Sequence, residues 1–86
     1  MEPMEVIMHP EVTEKAMKLV EIENKLIFVV NLRSTKRDIQ EAVEKLYEVK
    51  VADVNTLVTP KGLKRAYVKL TPEFKADEVA VKMGIF

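Results

Sequence analysis

Residues 58–69, VTPKGLKRAYVK, carry Lys61, Lys64, Arg65 and Lys69 and no carboxylate. The acid-free window runs from 54 to 72, in a chain whose 14 basic and 14 acidic residues cancel. Ammonium and guanidinium groups without neighbouring acids suit one chemistry above others, the binding of phosphate. A second cationic group, Arg33, Lys36 and Arg37, opens a predicted helix. Unpaired N–H groups and the positive end of a helix dipole favour an anion at such a point. Thr35, Asn55 and Thr56 add hydrogen-bonding side chains for phosphate or ribose. Lysines on an exposed hairpin also guard edge strands against aggregation. That role leaves the missing acids of 54–72 unexplained.

Catalytic chemistry finds no such support. His9 is the only histidine and stands beside Pro10 in a predicted loop, without a partner to make a ligand set or a triad. Ser34 is the only serine, and its place at a helix start suits capping rather than nucleophilic attack. The carboxylates fall on solvated helix faces with no metal-ligand spacing. Two glycines cannot form the usual phosphate-cradling loops. The expectation is a binding protein that is not an enzyme and needs no metal or cofactor.

The charge is polarised along the chain. Residues 1–24 hold six acids and two bases, residues 25–72 hold ten bases and five acids, and residues 73–86 carry one excess acid. Such a molecule can offer one face to an anion and another to a basic partner. Glu11, Glu14, Glu21 and Glu23 mark the acidic face, on and before the first predicted helix.

These residues need elements to hold them. MEVIM, 4–8, reads as a short strand that His9-Pro10 breaks. Thr13 is a predicted N-cap for a helix ending near Ile22, with Ala16, Leu19 and Val20 inward and Asn24 in the following turn. KLIFVVNL, 25–32, is an unbroken apolar run, expected as a central strand covered on both faces. Thr35-x-x-Asp38 reads as a capping box for a helix over about 36–48, with Ile39, Ala42, Val43 and Leu46 in one apolar stripe. Strands over 51–59 and 64–70 flank a Thr59-Pro60-Lys61-Gly62 turn, making a hairpin with its tip near 60–63. A short C-terminal helix ends at Gly84. The order β-α-β-α-β-β plus that helix predicts an α+β fold, a four-stranded antiparallel sheet with packed helices.

Eighty-six residues, 1–86, suit one domain that buries about 60–65% of its unfolded surface. The absence of cysteine fits a reducing cytoplasm. No apolar run approaches the length needed to span a bilayer, and the acidic start MEPMEVIMHP lacks the basic region of a signal peptide. A soluble intracellular protein is expected.

HPEVTEKAMKL, STKRDIQEAVEKLYEVKVADVNTL and KRAYVKL, in that order and spacing, resemble the successive signatures of the universal large-subunit ribosomal protein twenty-three family. The resemblance covers about residues 6–86. It implies a structural protein that binds large-subunit ribosomal RNA beside the exit of the polypeptide tunnel, among neighbouring ribosomal proteins. It also implies a docking site there for the signal recognition particle, nascent-chain chaperones and the protein-conducting channel, with no membrane insertion. Bacterial members carry a long basic extension between the last two strands. Here the connection is only TPKGLK, and the ending ADEVAVKMGIF is similar to archaeal and eukaryotic members, so the chain resembles the archaeal type. The resemblance makes Arg33, Thr35, Lys36, Arg37, Asn55, Thr56, Lys61, Lys64, Arg65 and Lys69 the expected RNA contacts. RNA shape and backbone would be read rather than base edges, because the A-form major groove is closed to side chains. The VTEK motif implies Glu14 as a docking residue, with Glu11 and Lys18 beside it. The alternative reading is a small regulatory or ligand-binding α+β domain that dimerises through its sheet.

Overall fold

The computed structural model describes residues 1–85. The element order is α1 (Pro3–Val6), β1 (Ile7–Pro10), α2 (Glu14–Glu23), β2 (Lys25–Val30), α3 (Lys36–Tyr47), β3 (Val51–Val58), β4 (Lys64–Leu70) and α4 (Ala76–Lys82). The four strands form one antiparallel sheet in the order β1-β2-β4-β3. This is the α+β arrangement expected, with a short C-terminal helix.

Local chemistry accounts for most element boundaries. The Thr35 hydroxyl accepts from Asp38 N at 3.1 Å while the Asp38 carboxylate accepts from Thr35 N at 2.9 Å, so the predicted capping box opens α3. Hydrogen bonding to the carboxylate from the Thr35 backbone N–H, and next from the Thr35 side chain, holds the Asp38 carboxyl below its ordinary value. Thr13 caps α2 by accepting from Ala16 N at 3.0 Å. The hairpin turn closes with Gly62 N on Thr59 O at 2.9 Å, and Gly62 has the positive φ that only glycine adopts without strain. Gly84, also at positive φ, follows the end of α4 as expected.

The main core joins the alternating residues Leu26, Phe28 and Val30 of β2, Ala66, Val68 and Leu70 of β4, and Ile39, Ala42 and Val43 of α3, with Val79 and Ala80 of α4. The intervening β2 residues, Ile27 and Val29, are buried as well. Strand β2 is therefore covered on both faces, which is why its sequence does not alternate.

Three expectations change. Residues 4–8 do not form a strand: Pro3–Val6 make one helical turn, and the strand is Ile7–Pro10. Val6 is fully buried in the main core, and its carbonyl accepts from Asn31 N at 2.8 Å, so tertiary contacts override the local β preference. Pro10 sits in the strand rather than breaking it because β1 is an edge, where a missing N–H costs little. The apolar stripe of α3 ends on Tyr47, not Leu46. Leu46 is 40% exposed, while the Tyr47 ring stacks on Phe28 with centroids 5.7 Å apart. Burial there raises the Tyr47 phenol above its usual value.

Asn24 does far more than fill a turn. It adopts the left-handed conformation (φ 56°) after α2. Its side-chain amide donates to the carbonyls of Phe74 (2.9 Å), Leu70 (3.3 Å) and Thr71 (3.4 Å), and its oxygen accepts from Ala76 N at 2.7 Å. One residue thus ties the end of α2, the end of β4 and the first turn of α4.

Candidate nucleic-acid interface

Antiparallel register sorts the basic residues of the hairpin by face. Lys64 pairs with Val58 and Val30, on the side of the main core; Arg65 and Lys69 alternate to the other side. Lys64 Nζ reaches back to the carbonyl of Ser34, donating at 2.6 Å. Ser34 is buried, and its hydroxyl donates to Asn31 O rather than capping α3, a task Thr35 performs. The Lys64 contact joins the base of the acid-free hairpin to the N-terminus of α3. Arg33, Thr35, Lys36, Arg37 and Lys64 therefore share one end of the molecule, with Lys61 exposed in the adjoining turn. Two acids of α3 are engaged, Asp38 in the capping box and Glu41 with Arg37 at 3.2 Å, while Glu2 and Glu5 stand exposed on and before α1, which packs on α3. The end stays cationic and carries the dipole of a twelve-residue helix.

The opposite face of the sheet holds Arg65, Asn55 and Lys69. Arg65 Nε lies 2.8 Å from Glu11 Oε1, with both side chains at least partly buried. An expected RNA contact and an expected docking residue thus neutralise each other. Asn55 donates to Asp53 at 3.2 Å, and Lys69 is exposed opposite Lys25 and Asp53. Thr56 is half-buried on the core side of β3. Among the expected docking residues, Glu14 and Lys18 are exposed one turn apart on α2. Sequence patterns could not separate these groups, because the sorting depends on strand pairing 34 to 44 residues apart along the chain.

The sheet order also decides against edge protection. Lys64, Arg65 and Lys69 stand on β4, which lies between β2 and β3. They guard no edge, so edge protection does not explain why residues 54–72 lack acids. Among the described residues no cluster of three or more His, Asp or Glu could hold a metal ion, and no helix is long and apolar enough to cross a membrane.

The model of the family described as Ribosomal protein L23 matches residues 5–84. The chain is 54% identical to the large ribosomal subunit protein uL23 of Methanothermobacter thermautotrophicus over the full length of both. It is 50% identical to the protein of that name from Methanococcus aeolicus and 51% identical to that from Methanococcus vannielii, again over the whole of each chain.

Proposed function

The chain belongs to the ribosomal protein L23 family, as a structural protein of the cytoplasmic large ribosomal subunit and not an enzyme, and from that premise we propose that it grips large-subunit RNA with its α3–hairpin end beside the tunnel exit. The observation that carries this reading is the Lys64–Ser34 contact, which fuses the hairpin and the start of α3 into one cationic surface. Arg33, Thr35, Lys36, Arg37, Lys61 and Lys64 form the primary phosphate-binding set. Lys69, Asn55 and Thr56 are secondary contacts. Arg65 serves by holding Glu11 and the sheet together rather than by meeting phosphate freely.

The exposed surface of α2 around Glu14 and Lys18 is the docking site for the signal recognition particle, nascent-chain chaperones and the protein-conducting channel. Glu11 supports it from beneath through Arg65. The reading of a dimeric regulatory domain has no observation in its favour once the family is known.

The test is the double substitution Lys36→Glu and Lys61→Glu, assayed on a fragment of large-subunit RNA. Both side chains are exposed and make no ion pair among the described residues, so the fold should survive. Affinity should fall at least tenfold, and the salt slope should shrink by about 1.5 to 2 for two lost phosphate contacts. Unchanged affinity and slope in a folded variant would remove this end from the RNA interface.

A further inference from the structure

The two edges of the sheet are treated very differently. Strand β1 has four residues, a register shift and Pro10 at its end, all devices that block further pairing. Strand β3 has eight residues, and within it there is no proline, no lysine or arginine, and a single acid, Asp53. It is the longest strand and the less protected edge.

Its register shows which backbone groups face outward. Thr59 N donates to Leu63 O at 2.8 Å, which makes 59 and 63 a hydrogen-bonded pair. Alternation along the ladder then makes 57–65, 55–67 and 53–69 hydrogen-bonded pairs as well. The N–H and C=O groups of Val54, Thr56 and Val58 point away from β4. At the start of the strand the edge is closed, because Glu44 of α3 accepts from Val51 N at 3.0 Å. Beyond the register shift at Ala52 no side chain of the described residues repeats that service.

A groove runs beside this edge. Lys36, Arg37 and Gln40 of α3 form one wall, and Ala52, Asp53 and Val54 of β3 form the other, around about 450 Å³ of accessible space. Further along, Leu57 and Val58 are 52% and 54% exposed. We propose that the β3 edge is a strand-addition site, which takes an extended, neutral-to-acidic segment of a neighbouring large-subunit protein as a fifth strand.

Two arguments select that occupant. The edge offers donors and acceptors in alternation at 54, 56 and 58. A polypeptide backbone answers both kinds of group, whereas phosphate oxygens only accept and would face the carbonyls unfavourably. The groove lining carries Lys36 and Arg37 against a single acid, Asp53, so a basic segment is disfavoured and a neutral or acidic one is favoured. Main-chain pairing supplies the affinity in this mode, and the groove and the Leu57–Val58 end supply the selectivity.

The test places a photo-activated cross-linking residue at Asn55 or Leu57, one at a time, in chain incorporated into large ribosomal subunits. Both are exposed, lie outside the groove lining and share the face opposite α3, so substitution leaves the groove intact. Strand addition predicts cross-links to one protein segment, advancing by two residues for each two-residue step along β3. A companion Thr56→Pro substitution removes an outward N–H that β4 does not use, and should cut the cross-linking yield from Asn55 at least tenfold. Cross-links to RNA alone, none at all, or a yield indifferent to Thr56→Pro would overturn the proposal. Sedimentation of the substituted chain with the subunit is scored separately, so a failure of the ribosomal assignment is told apart from a failure of strand addition.

Discussion

Replacing Asn24 by aspartate exchanges one NH2 group for oxygen and leaves the shape of the side chain unchanged. Aspartate also tolerates the left-handed conformation found there, so the backbone is not the issue. The amide donates to Phe74 O at 2.9 Å and, at longer range, to Leu70 O and Thr71 O. The substitution removes one good hydrogen bond, a net loss of about 1 kcal/mol. It then turns a carboxylate oxygen toward three carbonyl oxygens in a half-buried site, which adds about 1–3 kcal/mol. A total of about 2–4 kcal/mol is a large part of the roughly 5–15 kcal/mol that holds a small domain. At about 4–8 °C per kcal/mol for this chain length, Tm should fall by about 8–32 °C. Protonation restores a donor, so the introduced carboxyl has a raised pKa in the fold. Its deficit is relieved below the ordinary carboxylate value of about 3.9 and grows as pH rises through the raised folded value. Thermal unfolding followed by circular dichroism at pH 7 and pH 4, with the parent chain alongside, reads both effects. A variant within about 3 °C of the parent at pH 7 would refute the role of Asn24 as the link between α2, β4 and α4.

Other substitutions probe separate joints. Thr35→Ala should cost about 1 kcal/mol in urea unfolding through loss of the α3 cap. Asp38 has a lowered pKa, so its contribution is present above the ordinary value of 3.8 and is lost as pH falls through the lower folded value. The stability difference between the parent and Asp38→Asn should therefore shrink as an acid titration passes below pH 3.8. Glu48 ends α3 at φ 54° without glycine's freedom, so Glu48→Gly should raise the urea midpoint by the equivalent of about 0.5–1 kcal/mol. Glu14→Lys should leave RNA affinity unchanged and weaken partner docking measured on assembled ribosomes.

Features set by neighbouring residues were readable in the sequence. The capping box of α3, the Thr13 cap, the Thr59–Gly62 turn and the doubly covered β2 all depend on contacts within a few residues or on unbroken apolarity. Features set by sheet order were not. Whether lysines on β4 guard an edge depends on β4 lying between β2 and β3, which no local pattern encodes. Residues 4–8 read as a strand, but the turn Pro3–Val6 is helical because Val6 is drawn into the core and fixed to Asn31. Asn24 was legible as a turn residue, yet its four partners lie 46 to 52 residues away. The candidate site was legible as a list of cations. Its division into a free cationic end and an Arg65–Glu11 pair required the register of the strands.

The proposed grip of the cationic α3–hairpin end on ribosomal RNA runs through phosphates, so its salt dependence reports it. The most direct measurement is a salt titration of binding to the large-subunit RNA domain at the tunnel exit, beside a scrambled RNA of equal length. Selective binding whose log–log salt slope is about −3 to −5, as for roughly four to six phosphate contacts, is the predicted result. A folded protein that shows no preference between the two RNAs at any salt concentration would contradict the account.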